Sequence, residues 1–298
     1  MLSLRIPMGS NFSTVFFLSF PLFSNPKSPN PSSASRFGDL PENCAALILS
    51  HLDPPDICNL SRINKSFQSA SWADLVWESK LPPNSDDLAA RVLGGNPKLC
   101  KRDIYSGLCK NNAFDGDTKR AWLHNQTGQL CFSVSAKGLS ITGIEDRRYW
   151  NYIPTDESRF GNVAYVNQTW WFEAAAQIEL PFPAGTYSVY FRLHLGRRGR
   201  RFGIKTCNVE HVHGWDVKPV RFQVGTSGGQ HVSSQSFLSE SGKWKLYHAG
   251  EFVVDGSRRL TSVNISMTQI DCTHTKGGLC VDSAFVVPCT FNDWSKLF

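Results

Sequence analysis

The 298-residue sequence is short of several things, and each shortage removes a class of function. It contains no run of 18 uninterrupted apolar residues, so no membrane span is expected. It carries little excess charge, 31 Lys and Arg against 25 Asp and Glu, and a net +6 is too small for a nucleic-acid surface. Arg197, Arg198, Arg200 and Arg201 contribute most of that excess in one short run, read as a solvated loop joining two strands. Cysteine is sparse for a disulfide scaffold: there are nine, an odd number, with no C-x-x-C spacing. That usage points to a reduced, intracellular protein of the nucleus or cytoplasm. Cys207 with His211 and His213, and Cys272 with His274, Cys280 and Cys289, lack paired metal-ligand spacing, so no metal is expected. There is no G-x-S-x-G elbow, P-loop or H-E-x-x-H, so the expectation is a non-catalytic protein without a cofactor. No repeat period appears, which excludes a propeller or solenoid.

What is present suffices for folding. With 41% hydrophobic and 12% aromatic residues, the chain can bury the core of one large domain or two ordinary ones. Residues 1–38 read as a disordered N-terminal tail, because a Ser/Pro/Asn-rich stretch over 24–35 follows a short apolar run.

Residues 39–82 read as a small helical module. Asp39-Leu40-Pro41-Glu42 is a helix start, with proline and acidic residues in the first turn. Leu40, Cys44, Leu47, Ile48 and Leu52 then fall on one helical face, and Leu49 widens it. Asp53 caps the next helix and Pro54 opens it. Ile57, Leu60, Ile63, Phe67, Ala70, Leu75, Val76 and Trp77 continue the pattern. The core is thin for independent folding, and Leu40, Pro41 and Leu49 have no evident internal place, so a partner is expected to complete the burial. The order Leu40-Pro41, Ile48-Leu49, Leu52, Asp56, Leu60, Phe67 and Trp77 resembles an F-box. The resemblance implies docking on a Skp-type adaptor, and through it on a cullin–RING ubiquitin ligase. It also implies that Leu40, Pro41, Ile48, Leu49 and Leu52 form the adaptor interface.

A helical connector over 83–120 follows, with helices near Leu88–Leu93 and Lys101–Cys109 and a boundary near the Gly116-Asp117 turn. Residues 121–298 read as about nine strands punctuated by Gly and Pro. The expected chain is therefore α+β: a small all-α module followed by an all-β, jelly-roll-like antiparallel sandwich. Leu139-Ser140-Ile141-Thr142, Tyr149-Trp150, Gly214-Trp215-Asp216, Lys218-Pro219-Val220-Arg221-Phe222 and Gly250-Glu251-Phe252 resemble the plant phloem-lectin family that includes the tobacco agglutinin. That resemblance implies a sandwich binding N-acetylglucosamine oligomers or N-glycan cores. A sugar ring takes an aromatic face and a hydrogen-bonding carboxylate. Trp150 and Glu251 fall on two of the family's four site positions, while Gly143 and Arg258 occupy the others, so half of the constellation is replaced.

Together these expectations describe the client-recognition adaptor of a Skp–cullin–F-box ubiquitin ligase, its β-domain selecting a client protein through protein or glycan. A stand-alone carbohydrate-binding defence lectin is the second reading the sequence leaves open.

Overall fold

A computed structural model describes residues 40–94, 99–125, 127–201, 204–256 and 260–294. The tail expected over 1–38 lies outside these residues, as do Asp39 and Arg258. Four short helices come first: α1 (Glu42–Ser50), α2 (Pro54–Leu60), α3 (Lys65–Ala70) and α4 (Asp74–Glu78). Local chemistry sets their starts. Pro54 stands where the first turn needs no N–H, just after Asp53. Asn64 caps α3 by accepting the Phe67 N–H at 2.8 Å. Their shared core is Ala45, Ala46, Leu49, Ile57, Phe67, Ala70, Val76 and Trp77.

That core corrects the expected orientation of α1. Leu49 is fully buried, while Cys44, Leu47 and Ile48 face outward. Helical periodicity identifies a stripe without saying which stripe turns inward. Here Ala45 and Ala46 supply the inward stripe with Leu49, and the bulk comes from Phe67 and Trp77 opposite them.

Two further helices, α5 (Ser85–Val92) and α6 (Lys101–Leu108), form the connector. They are shared between the two halves of the chain. Leu88, Ala89, Val92, Ile104 and Leu108 belong to the β-domain core. Tyr105, on the other side of α6, packs in the helical core against Trp77 at 5.2 Å. Leu81 and Cys109 touch both cores. The turn at Asp115–Gly116–Asp117, all at positive φ, lies inside a hairpin. Strand pairing therefore starts at Asn112, ahead of the expected boundary.

The β-domain is built from β1 (Asn112–Phe114), β2 (Lys119–Leu123), β3 (Leu130–Ser135), β4 (Ser140–Ile141), β5 (Trp150–Pro154), β6 (Asn162–Val166), β7 (Phe172–Leu180) and β8 (Gly185–Leu195). It continues with β9 (Arg197–Arg201), β10 (Ile204–Asn208), β11 (Val220–Thr226), β12 (His231–Ser236), β13 (Trp244–Val254), β14 (Thr261–Gln269) and β15 (Leu279–Pro288). One sheet runs β1-β2-β3-β15-β6-β5, with β8 alongside β15 and β13 alongside β8. The other runs β12-β11-β14-β7-β4. Every strand ladder is antiparallel. The all-β antiparallel architecture is as expected, with more and shorter strands. The arginine run is itself strand β9, paired with β10.

Aromatic and β-branched side chains from both sheets fill the space between them, with Phe172 packed on Trp150 and edge-on to Trp215. Strand β15 is buried along its whole length because its outer side is covered too, by Phe291 and its neighbours. Among the described residues no helix is long and apolar enough to cross a membrane.

Lys276 is fully buried, and its ammonium donates to three backbone oxygens: Trp170 at 2.7 Å, Asp271 at 3.0 Å and Gln269 at 3.1 Å. Lys276→Met is expected to lower unfolding stability by about 2 kcal/mol, since it leaves these carbonyls without a donor. The shift of the urea midpoint measures it, and an unchanged midpoint would show that water replaces the ammonium.

Candidate functional site

The helical module leaves large apolar side chains on its surface. Leu47 is 57% exposed, Ile48 41%, Ile63 66% and Leu75 56%. Trp72 is exposed too, with the Arg102 guanidinium 3.8 Å above its ring. Of the residues expected at a docking interface, Pro41 and Ile48 are exposed, whereas Leu40 and Leu52 are half-buried against the core. Leu49 is inside and unavailable to a partner in this conformation. Leu47, Ile63 and Leu75 are the surface positions that sequence reasoning assigned inward. For Leu47 the signal that could have found it is the Ala45-Ala46 pair, which gives α1 a second inward stripe.

The positions are held from several directions. The Ser66 hydroxyl donates to Leu40 O at 2.9 Å and the Ser69 hydroxyl to Glu42 Oε1 at 2.7 Å, tying α3 to the start of α1. At the other end, Lys80 Nζ donates to Ser50 O at 2.8 Å. Trp77 Nε1 donates to Ser71 O at 2.6 Å and so finds its partner inside the module.

The two residues expected to hold a sugar are far apart. Trp150 lies opposite Val166, Val166 opposite Leu279, at one end of β15. Glu251 lies opposite Ser188, and Ser188 opposite Val287, at the other end. Those ends are eight residues apart along β15, or roughly 26 Å at the rise of a strand. Strands β5 and β13 also stand on opposite sides of β15.

Their surroundings differ as much as their positions. Trp150 is 1% exposed and packs on Phe172, and Gly143 sits over the edge of its ring. Gly143 has φ +76°, a conformation that disfavours any large side chain at this position. Glu251 is exposed on the opposite side of the sheet from the core. It accepts the Ser188 hydroxyl at 3.2 Å and lies 3.8 Å from His248 Nε2.

The nine cysteines are all free thiols, and burial pushes the Cys131 and Cys109 thiols above their ordinary pKa. His213 Nδ1 faces His211 O at 2.9 Å, and His274 Nε2 faces Gly214 O at 3.0 Å. Among the described residues no three His, Cys, Asp or Glu side chains gather as a metal site.

Comparison with known proteins fits this division of the chain. The F-box-like family model matches residues 37–81, the segment carrying α1 to α4. The phloem protein 2 model matches residues 129–288, more than half of the chain, from β3 to the end of β15. The chain is an F-box protein of the phloem protein 2 family. F-box protein PP2-A11 of Arabidopsis thaliana is 59% identical over 258 residues, covering 86% of this chain and 89% of its own length. F-box protein PP2-A12 of the same plant is 57% identical over 263 residues, covering 88% and 90%. In this F-box protein, then, the outward apolar face lies on the F-box, and the phloem protein 2 domain is the sandwich. Helices α5 and α6 and the β1–β2 hairpin fall between the two matched segments.

Proposed function

We propose that this chain is the client-recognition adaptor of a Skp–cullin–F-box ubiquitin ligase. The carrying observation is the outward face of α1, where Leu47 and Ile48 stand exposed beside the exposed Pro41. A central apolar patch with polar surroundings is the anatomy of a protein interface. In this role the F-box binds a Skp-type adaptor and the phloem protein 2 domain holds the client. The chain breaks no bond itself. Holding a client's lysines beside a recruited ubiquitin-conjugating enzyme raises their effective concentration there, and proximity does the rest. Nine free thiols suit a reducing compartment, the cytoplasm or nucleus.

The test is complex formation between the purified chain and a Skp-type adaptor, read by size-exclusion chromatography. A stable one-to-one complex is expected. Failure of the unmutated chain to bind would overturn the adaptor role. Glycans of a client are the ligand implied by the phloem-lectin resemblance. An array of N-acetylglucosamine oligomers and N-glycan cores tests them, and a blank array would leave the client's protein surface as the determinant.

A further inference from the structure

One end of the sandwich carries four exposed apolar side chains: Trp170 at 51%, Trp171 at 43%, Val217 at 55% and Ile270 at 51%. Single exposed apolar residues are ordinary, but these stand on three segments that buried polar groups tie together. The Lys276 ammonium joins the Trp170 carbonyl to those of Gln269 and Asp271, on either side of Ile270. Thr169 and Lys276 exchange backbone hydrogen bonds at 2.8 and 2.9 Å, and the Thr169 hydroxyl donates to Trp171 O at 2.8 Å. Gln269, 3% exposed, donates to Gly214 O and Lys218 O, fixing the segment that bears Val217. The Trp171 indole is aimed as well, since its N–H donates to Glu173 Oε2 at 3.2 Å, where the Thr142 hydroxyl also donates. Aromatic anchors on backbone held this firmly lose little freedom when a partner binds.

Beside Ile270 lies a cleft of about 270 Å³, lined also by Lys218, Arg221, Gln235, Thr268 and Asp271. Asp271 Oδ1 already accepts the N–H and the hydroxyl of Thr273, which hold its carboxyl below the usual range. Lys218 and Arg221 form no ion pair among the described residues. The cleft therefore holds two cations against one carboxylate, Asp271, on which Lys218 acts at longer range, beside Ile270 and Pro219.

We propose that this end of the sandwich docks an extended protein segment. Its apolar side chains lie on Trp170, Trp171 and Ile270, and an acidic side chain enters the Lys218–Arg221 cleft. The inference rests on the reading that the phloem protein 2 domain selects the client, and it names the client determinant as an apolar–acidic peptide. The two exposed indoles would by themselves suit a sugar ring; the Lys218–Arg221 cations and the aliphatic Val217 and Ile270 beside them are what favour an acidic peptide.

The experiment selects short, unmodified peptides from a displayed library on the full chain, then measures the enriched peptide by fluorescence anisotropy. The expected consensus has apolar residues flanked by Asp or Glu. The Trp170→Ala/Trp171→Ala variant should bind it roughly 30-fold more weakly, the scale of a paired hot spot. Lys218→Glu/Arg221→Glu should also weaken it, and replacing the peptide's acid by lysine should restore binding to that variant alone. That rescue distinguishes a charge contact from a disturbed fold. No enrichment, or peptides that bind both variants like the unmutated chain, would overturn the proposal. So would a chitooligosaccharide that binds the chain and is lost with the two tryptophans. Adaptor binding is scored separately in the same preparations. Its loss with peptide capture intact sinks the ligase reading alone, and the reverse result sinks only this docking surface.

Discussion

Trp150→Ala is expected to lower the stability of the chain by about 3–5 kcal/mol, the range for removing a large aromatic from a core. Trp150 is 1% exposed and lies against Phe172, which meets Trp215 edge-on at 5.0 Å. Deleting the indole opens a cavity at one end of that three-ring arrangement, against Phe172. Trp150→Phe should cost only about 1 kcal/mol, because a ring is retained and the lost donor is no asset. The Trp150 Nε1 has no hydrogen-bond partner among the described residues. Urea unfolding of the two variants measures both numbers. If Trp150→Ala unfolds like the unmutated chain yet loses ligand, the residue belongs to a binding surface and its assignment to the core is wrong.

Neighbouring residues on α1 are expected to answer in opposite ways. Leu47→Glu/Ile48→Glu should leave the melting temperature within about 2 °C, since exposed positions contribute little to folding. The same variant should weaken adaptor binding by about 100-fold or more, as charge enters the centre of an apolar interface. Leu49→Ala should do the reverse in origin. It removes a fully buried side chain from the core with Ala45 and Ala46, lowering stability by about 2–3 kcal/mol. At temperatures where the variant remains folded, its adaptor affinity should stay within about threefold. Calorimetric melting and titration calorimetry on the same samples separate these outcomes. An equal loss of affinity for all three substitutions at constant stability would place Leu49 in the interface after all.

The contrast at α1 shows what the sequence made legible. The helices, their proline starts and the later change to strands were readable from spacing and turn residues. So were both family resemblances. The orientation of α1 was not, because its apolar residues cover more than one stripe and only neighbouring helices decide between them. Short polar strands such as β12, His231–Ser236, escaped notice because edge pairing with β11 needs no hydrophobic alternation. The separation of the two expected sugar residues was hidden for a different reason. Tyr149-Trp150 and Gly250-Glu251 were each recognised locally, but whether they meet depends on the register of β15 with β6 and β8. That register is a property of the whole sheet. The exposed end bearing Trp170 and Ile270 was invisible for the same reason, since Lys276 joins segments distant in sequence.

Leu81 and Cys109 lie against both hydrophobic cores, and α6 turns Tyr105 to one and Leu108 to the other. Among the described residues, the F-box and the sandwich therefore share the packing of their connector. In the proposed ligase role, that shared packing would make the adaptor act like a caliper, limiting the distances and angles at which a client held by the sandwich is presented. Lysines would be chosen for ubiquitin by where they sit on the client, more than by the residues around them.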